Sequence, residues 1–296
     1  MVSGQELHVW RNQAKQAAIV AQVSPEEVDW LLQEITGLDS LTLRLGLLPK
    51  QEQVCLNTTI TKLNNLWQQR LQEHLPVQYL VGRVPWRHFY LKVSPAVLIP
   101  RPETELLIDL VSQELQKKPN KSLSSGNWVD LGTGSGAIAL GLAEILPKAT
   151  IHAVDCSQAA LAIAQENAHN LNLADHINFY HGEWWHPLAN LKGKVSGLVS
   201  NPPYIPTAEL PALQPEVFKH EPHLALDGGQ DGLKSIRYLI ETSANYLAPG
   251  GIWLIEMMAG QADAVKSMLK DNGCYDDIQA FKDLAGIERF ALAYRS

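Results

Sequence analysis

The residues with the most chemistry to offer fall in two short clusters. The first, Asp130-Leu131-Gly132-Thr133-Gly134-Ser135-Gly136-Ala137, follows an apolar run and opens a helical one. Its glycines permit a tight turn and let a ligand approach bare backbone. Twenty-one residues after Gly134, Asp155 ends the next apolar run. An acid there can accept hydrogen bonds from both hydroxyls of a ribose. The same G-x-G-x-x-A spacing also fits a dinucleotide fingerprint, so the cluster indicates a nucleoside-bearing cofactor without naming it.

The second cluster is Asn201-Pro202-Pro203-Tyr204, directly after the run Leu198–Ser200. Asn201 has a side-chain carbonyl and Pro202 a backbone carbonyl, both acceptors. The prolines stiffen the loop, and Tyr204 supplies a flat face. Two acceptors and a ring suit a planar –NH2 group, holding its hydrogens while one face of the nitrogen stays open. A dehydrogenase needs a donor or base beside a carbinol carbon and leaves the tetrapeptide idle.

Both clusters need elements to position them. From about residue 105 onward strand-like runs (Trp128–Leu131, Ile151–Asp155, Ile177–Tyr180, Leu198–Ser200, Ile252–Glu256) alternate with helical ones (Ala137–Ile145, Ser157–Leu171, Leu233–Leu247, Gln261–Lys270). This alternation predicts an α/β fold, a mostly parallel sheet with helices on both faces. Asp277–Phe281 and Glu288–Tyr294 are separated by a short loop and predict a closing antiparallel hairpin. The cluster Asn201–Tyr204 then lies at the C-terminal edge of the fourth parallel strand, where open α/β sheets bind ligands.

Upstream, residues 1–75 read as a small all-α domain. Ser24-Pro25-Glu26-Glu27 predicts a helix start with a capping box from Ser24 to Glu27. Val28, Leu31, Leu32 and Ile35 follow at helical spacing, with Gly37 placed to end the helix. Leu56, Ile60, Leu63, Trp67 and Leu71 make a second stripe. Residues 76–100 form a connector with hairpin texture that carries Arg83, Arg87 and Lys92, a basic stretch that composition reads equally as a solvated connector or as one wall of a substrate cleft.

Composition narrows the class. The 296 residues are 46% apolar and 19% charged, enough for a packed core. A net charge of −7 argues against a protein held on a phosphate backbone. No apolar run approaches bilayer length, and the start lacks a signal-peptide pattern. Cys55, Cys156 and Cys274 are odd in number and lack metal spacing, which predicts a reducing, cytoplasmic setting. The histidines lack metal spacing and read as surface or satisfied core residues, and Cys156 as a small apolar filler.

The glycine loop followed by Asn-Pro-Pro-Tyr resembles methyltransferases that use S-adenosylmethionine to methylate planar amino or amide nitrogens. Pro76–Gly82, Val93–Glu105, Leu224–Leu233 and Lys282–Arg289 narrow the resemblance to the HemK/PrmC family, the protein-(glutamine-N5) methyltransferases of peptide-chain release factors. The match covers about 76–296 strongly. It implies a Rossmann-like class I methyltransferase domain over 101–296, a connector over 76–100, and substrate docking by 1–75. It also implies S-adenosylmethionine as cofactor and a release factor as partner, while the net charge and the lack of a long apolar run predict no stable nucleic-acid or membrane partner. Gly132, Thr133, Gly134, Ser135, Gly136, Asp155, Trp184 and Asn201 would contact the cofactor. Asn201, Pro202, Pro203 and Tyr204 would hold the glutamine amide, with Asn201, Pro202 and Tyr204 serving catalysis. Two departures stand out: Glu183 where the family has Asp, and Met257-Met258 where it has a glycine two residues after Glu256. The alternative function is methylation of an amino group on adenine or guanine, whose geometry is nearly the same. An NAD-dependent oxidoreductase accounts for the glycine loop alone, and a non-catalytic adaptor for neither cluster.

Overall fold

Helix and strand alternate along most of the chain in the computed structural model, which describes residues 1–118 and 121–296. The chain forms two compact units, residues 1–83 with 214–220, and residues 84–213 with 221–296.

The first unit is helical. Helices Gly4–Val20, Glu26–Thr36 and Ile60–Glu73 bury Leu7, Trp10, Val28, Leu31, Leu32, Leu63 and Trp67 at one-face spacing. Gly37 ends its helix in the left-handed conformation, at φ 71°. The expected capping box does not form. Ser24 donates to the Glu26 carboxylate at 2.5 Å, while Glu27 accepts two hydrogen bonds from Arg70 at 2.6 and 2.9 Å. The reason is electrostatic: Arg70 is 3% exposed, and a buried guanidinium must have a counter-charge. Arg70 also reaches Glu216 at 3.1 Å, and Glu73 supplies its carbonyl to His220 at 2.7 Å, so 214–220 is bound into this unit.

Strands β1 (Arg83–Trp86) and β2 (Phe89–Lys92) form a two-stranded sheet with alternating exposure. The expected basic wall is corrected here. Arg83 pairs with Glu34 at 2.7 Å, Arg87 with Asp109 at 2.8 Å, and Lys92 with Glu166 at 2.6 Å. Acids distant in sequence neutralise what looked like a local charge excess.

The second unit carries β3 (Asn127–Leu131), β4 (Thr150–Asp155), β5 (Ile177–His181), β6 (Val195–Ser200), β7 (Leu247–Glu256), β8 (Tyr275–Lys282) and β9 (Glu288–Arg295). Among the described residues these make one seven-stranded sheet in the order β5-β4-β3-β6-β7-β9-β8. Strands β3 to β7 pair in parallel, and β9 runs antiparallel to both β7 and β8. The α/β expectation and the closing hairpin both hold. Strands β3 and β6 are buried nearly throughout, as a covered parallel sheet requires. Trp128 on β3 lies over its register partner Gly197 on β6. A Cβ at Gly197 would come within 2.3 Å of the indole, so only glycine lets that ring lie flat. Met257, one of the family departures, is fully buried in an apolar cluster of this unit.

Candidate active site

The order in which parallel strands are laid down reverses at β3, since β4 lies on one side of it and β6 on the other. A crevice therefore opens at the C-terminal ends of β3 and β6. The Ser200 hydroxyl donates to the Leu131 carbonyl at 2.6 Å and ties those two ends together. The glycine loop starts from one end, and Asn201 from the other.

The loop turns through left-handed backbone at Gly132 (φ 78°), Gly134 (φ 55°) and Gly136 (φ 86°). Asp155, at the end of β4, accepts from the Gly134 N–H and the Ser157 N–H, each at 2.8 Å. Burial pushes its carboxyl above the usual range, against the pull of those two bonds. Asp130, fully buried, accepts from Thr133 Oγ1 at 2.6 Å and from the Ala139 N–H at 3.0 Å. Burial pushes its carboxyl up to about 7, and the neighbouring Asp155 charge adds to the rise.

A cavity of about 230 Å³ occupies the crevice. Of the residues singled out from sequence, Gly132, Gly134, Asp155, Trp184, Asn201 and Pro203 line it. Thr133, Ser135, Gly136, Pro202 and Tyr204 do not, and several have other tasks. Thr133 donates to Asp130, and the Ser135 carbonyl accepts from Asn167 Nδ2 at 2.9 Å. A Cβ at Gly136 would press on Ala164 at 3.1 Å. Trp184 has φ 49°, an unfavourable conformation for a bulky residue, and its ring lies 3.9 Å from where a Gly132 Cβ would stand. Glu183 also lines the cavity. Cys156 does too and is exposed, which corrects the filler reading: the residue after a strand-end acid faces the crevice rather than the core. His152 is a satisfied core histidine between Tyr180 and Asn127.

Sequence reasoning missed Thr104 and Glu256. Asn201 Nδ2 donates to Thr104 Oγ1 at 3.2 Å, and Thr104 donates to Glu256 Oε2 at 2.6 Å. The Tyr204 hydroxyl donates to Glu256 Oε1 at 3.0 Å. Burial, then the Glu256 charge and hydrogen bond, drive the Tyr204 phenol far above its ordinary value, so it stays protonated. The signal that could have found Glu256 was its place at the end of an apolar strand beside the strand carrying Asn201. The connector does contribute to the cavity wall, but through Val97 and Leu98 rather than its basic residues, and Leu224 and Lys234 beyond β6 line it as well.

The cavity suits a nucleoside-bearing ligand. A Cβ at Gly134 would meet no atom within 4 Å, so the loop presents bare backbone to a cavity that the Asp155 acid and the Trp184 indole also line.

Residues 104–230 match the family described as Methyltransferase small domain. A release factor glutamine methyltransferase of Synechocystis sp. is 54% identical over 292 residues, covering 99% of this chain and 97% of that protein. This chain belongs to the release factor glutamine methyltransferase family. A Thermosynechococcus vestitus member is 45% identical and covers 99% of both chains. Among solved structures, the hMettl16 catalytic domain in complex with a MAT2A 3′UTR hairpin is similar, with a TM-score of 0.55 and 16% identity, covering 82% of this chain and 84% of that one. The T. thermophilus 16S rRNA methyltransferase RsmC has a TM-score of 0.51 at 17% identity, covering 72% of this chain and 50% of that one. At these identities the two structures show a shared methyltransferase fold. Membership in the family makes the chain a methyltransferase, and the oxidoreductase and adaptor readings fall away.

Proposed function

We propose that this chain transfers a methyl group from S-adenosylmethionine to the side-chain amide nitrogen of the glutamine in the Gly-Gly-Gln motif of a peptide-chain release factor. The observation that carries the reading is the meeting, in one cavity, of bare glycine-loop backbone and Asp155 with Asn201. Gly132, Gly134, Asp155 and Trp184 would hold the cofactor, with Asp155 on the ribose hydroxyls. When bound, S-adenosylmethionine supplies an electrophilic methyl group on a sulfonium sulfur. The Asn201 side-chain carbonyl, on the cavity lining, accepts one amide hydrogen and favours the positive charge that develops on nitrogen; the family resemblance gives the second hydrogen to the Pro202 backbone carbonyl, which lies next to that lining in the chain. An amide nitrogen is a weak nucleophile, because its lone pair is delocalised into the carbonyl. Alignment and exclusion of water therefore supply much of the rate. No general base is assigned, since the proton leaves readily once the nitrogen is alkylated.

Docking of the large substrate falls, in this reading, to the helical residues 1–75, in a cytoplasmic setting. No helix among the described residues is long and apolar enough to cross a membrane. The test incubates the full chain with methyl-labelled S-adenosylmethionine and, separately, an intact release factor, the same factor with its motif glutamine changed to alanine, duplex DNA and RNA. Label is expected on the intact factor alone. Label on DNA or RNA, with none on the factor, overturns the reading in favour of the nucleic-acid amino methylase.

A further inference from the structure

Thr104 stands immediately before helix Glu105–Lys117, where a threonine ordinarily accepts a backbone N–H and caps the helix. It makes no such cap. Its side chain, in a residue 4% exposed, is turned instead to Glu256, itself 2% exposed at the end of β7. Glu256 then receives two hydroxyls, one on each oxygen, from Thr104 and from Tyr204.

The direction of these bonds has a consequence for Asn201. The only hydrogen of the Thr104 hydroxyl is spent on Glu256, so Thr104 Oγ1 has nothing but lone pairs left for a third group. That group is the Asn201 amide, which must turn its NH2 toward Thr104, and does so at 3.2 Å. An amide with its NH2 engaged on one side presents its oxygen on the other. We propose that Thr104 and Glu256 are positioning residues that fix the orientation of the Asn201 amide, so that the site offers an acceptor to the cavity and selects a nitrogen that donates.

This inference rests on the reading that Asn201 receives the substrate amide. The same carboxylate pins both ends of the tetrapeptide, Tyr204 directly and Asn201 through Thr104. Glu256 receives a hydroxyl on each carboxylate oxygen, the geometry of an acceptor; burial raises its carboxyl above the ordinary value, and the hydroxyls of Thr104 and Tyr204 and the Arg289 charge offset only part of that rise. Neither Thr104 nor Glu256 lines the cavity, so both act through Asn201 and Tyr204.

The test uses the full chain and two readouts. Thr104→Val keeps the shape and removes the relay. Glu256→Gln gains an NH2 that can donate to Thr104, which frees the threonine hydroxyl to donate to Asn201 and turn its amide over. Thr104→Ser keeps the relay. The Asn201 side-chain NH2 signals are read by NMR in protein with nitrogen-15-labelled asparagine, assigned by their absence in Asn201→Ala. These signals are expected to move in Thr104→Val and Glu256→Gln and to stay in Thr104→Ser. The first two variants are expected to lose about 10- to 100-fold in kcat on the release factor, with KM and cofactor affinity changed far less and Thr104→Ser close to wild type. Unmoved Asn201 signals in folded Thr104→Val, or equal loss of kcat in Thr104→Ser and Thr104→Val, overturn the inference. Should Glu256→Gln not fold, the valine and serine pair decides alone. If wild type labels no release factor while the Asn201 signals still respond as expected, the substrate reading fails and the positioning role stands.

Discussion

Asp155 Oδ2 accepts the Gly134 N–H at 2.8 Å, so the acid that ends β4 fixes the glycine loop that ends β3. The residue expected to read a ribose thus also shapes the loop beside it. Both of its oxygens already hold a backbone N–H, and an ionised carboxylate has lone pairs to spare for further donors.

Asp155→Ala therefore removes a ligand acceptor and loosens the loop together. Affinity for S-adenosylmethionine is expected to fall by on the order of 2–4 kcal/mol, the scale of one or two charge-assisted hydrogen bonds. Asp155→Asn, which can still accept from Gly134, is expected to fall between the two. Calorimetric titration measures both, and unchanged affinity in folded Asp155→Ala rules out the ribose role.

Asn201→Ala separates binding from chemistry. Losing one preorganised acceptor is expected to lower kcat by about 10²–10³. Cofactor affinity should change much less, because other residues hold the cofactor. Single-turnover kinetics at saturating cofactor decides this, and normal turnover there with poor cofactor binding would remove Asn201 from the chemistry.

Asp130 sets a pH dependence of stability. Its carboxyl titrates near 7 in the folded chain and at the ordinary 3.8 in the unfolded one. Between those values the native state holds a proton that the unfolded chain has released, so stability falls as pH rises through the window. The total decline is about 4 kcal/mol. Asp130→Asn carries no such proton and should lack that slope. Urea unfolding of both proteins at about pH 4.5 and about pH 7.5 checks the sign. A wild type that gains stability over that interval relative to Asp130→Asn contradicts it.

Arg70 links the first unit to its distant segment. Arg70→Ala leaves Glu27 and Glu216 without their shared cation and opens space in a helical core. Stability should drop by about 2–3 kcal/mol, below the full cost of a broken buried pair because both glutamates reach solvent. Amide hydrogen exchange in residues 214–220 should rise more than in β3, and equal protection there in wild type and variant would contradict the role of Arg70.

Substrate size tests the proposed docking. Binding energy from surfaces remote from the reacting glutamine appears as faster reaction of whole substrate than of truncated substrate. A short Gly-Gly-Gln peptide is expected to show kcat/KM lower by about 100-fold than the intact release factor. Equal values would leave residues 1–75 without a docking role.

Most of the α/β architecture was legible because its signals are local. Parallel strands buried on both faces read as apolar runs, and the helices between them carry their own period. The glycine loop, Asp155 and Asn201 could be found for the same reason, each standing at the end of such a run. The capping box at Ser24 and the free charge of Arg83, Arg87 and Lys92 were misread, since a local pattern is silent about partners far along the chain. Glu27 answers to Arg70, and Lys92 to Glu166, more than seventy residues away in the second case.

The sequence by itself determined the strand order of events: apolar runs, the turns after them, and the residue types each turn exposes at the sheet edge. What only the tertiary structure decided is which side chains complete one another there. Thr104 precedes a helix, Glu256 ends a strand 152 residues later, and Asn201 directly follows another between them. No spacing rule relates the three, because hydrogen bonds act over about 3 Å and register no distance along the chain. Only the packing of β6 beside β7, with the start of helix Glu105–Lys117 close by, brings them within reach and settles which way the Asn201 amide must face.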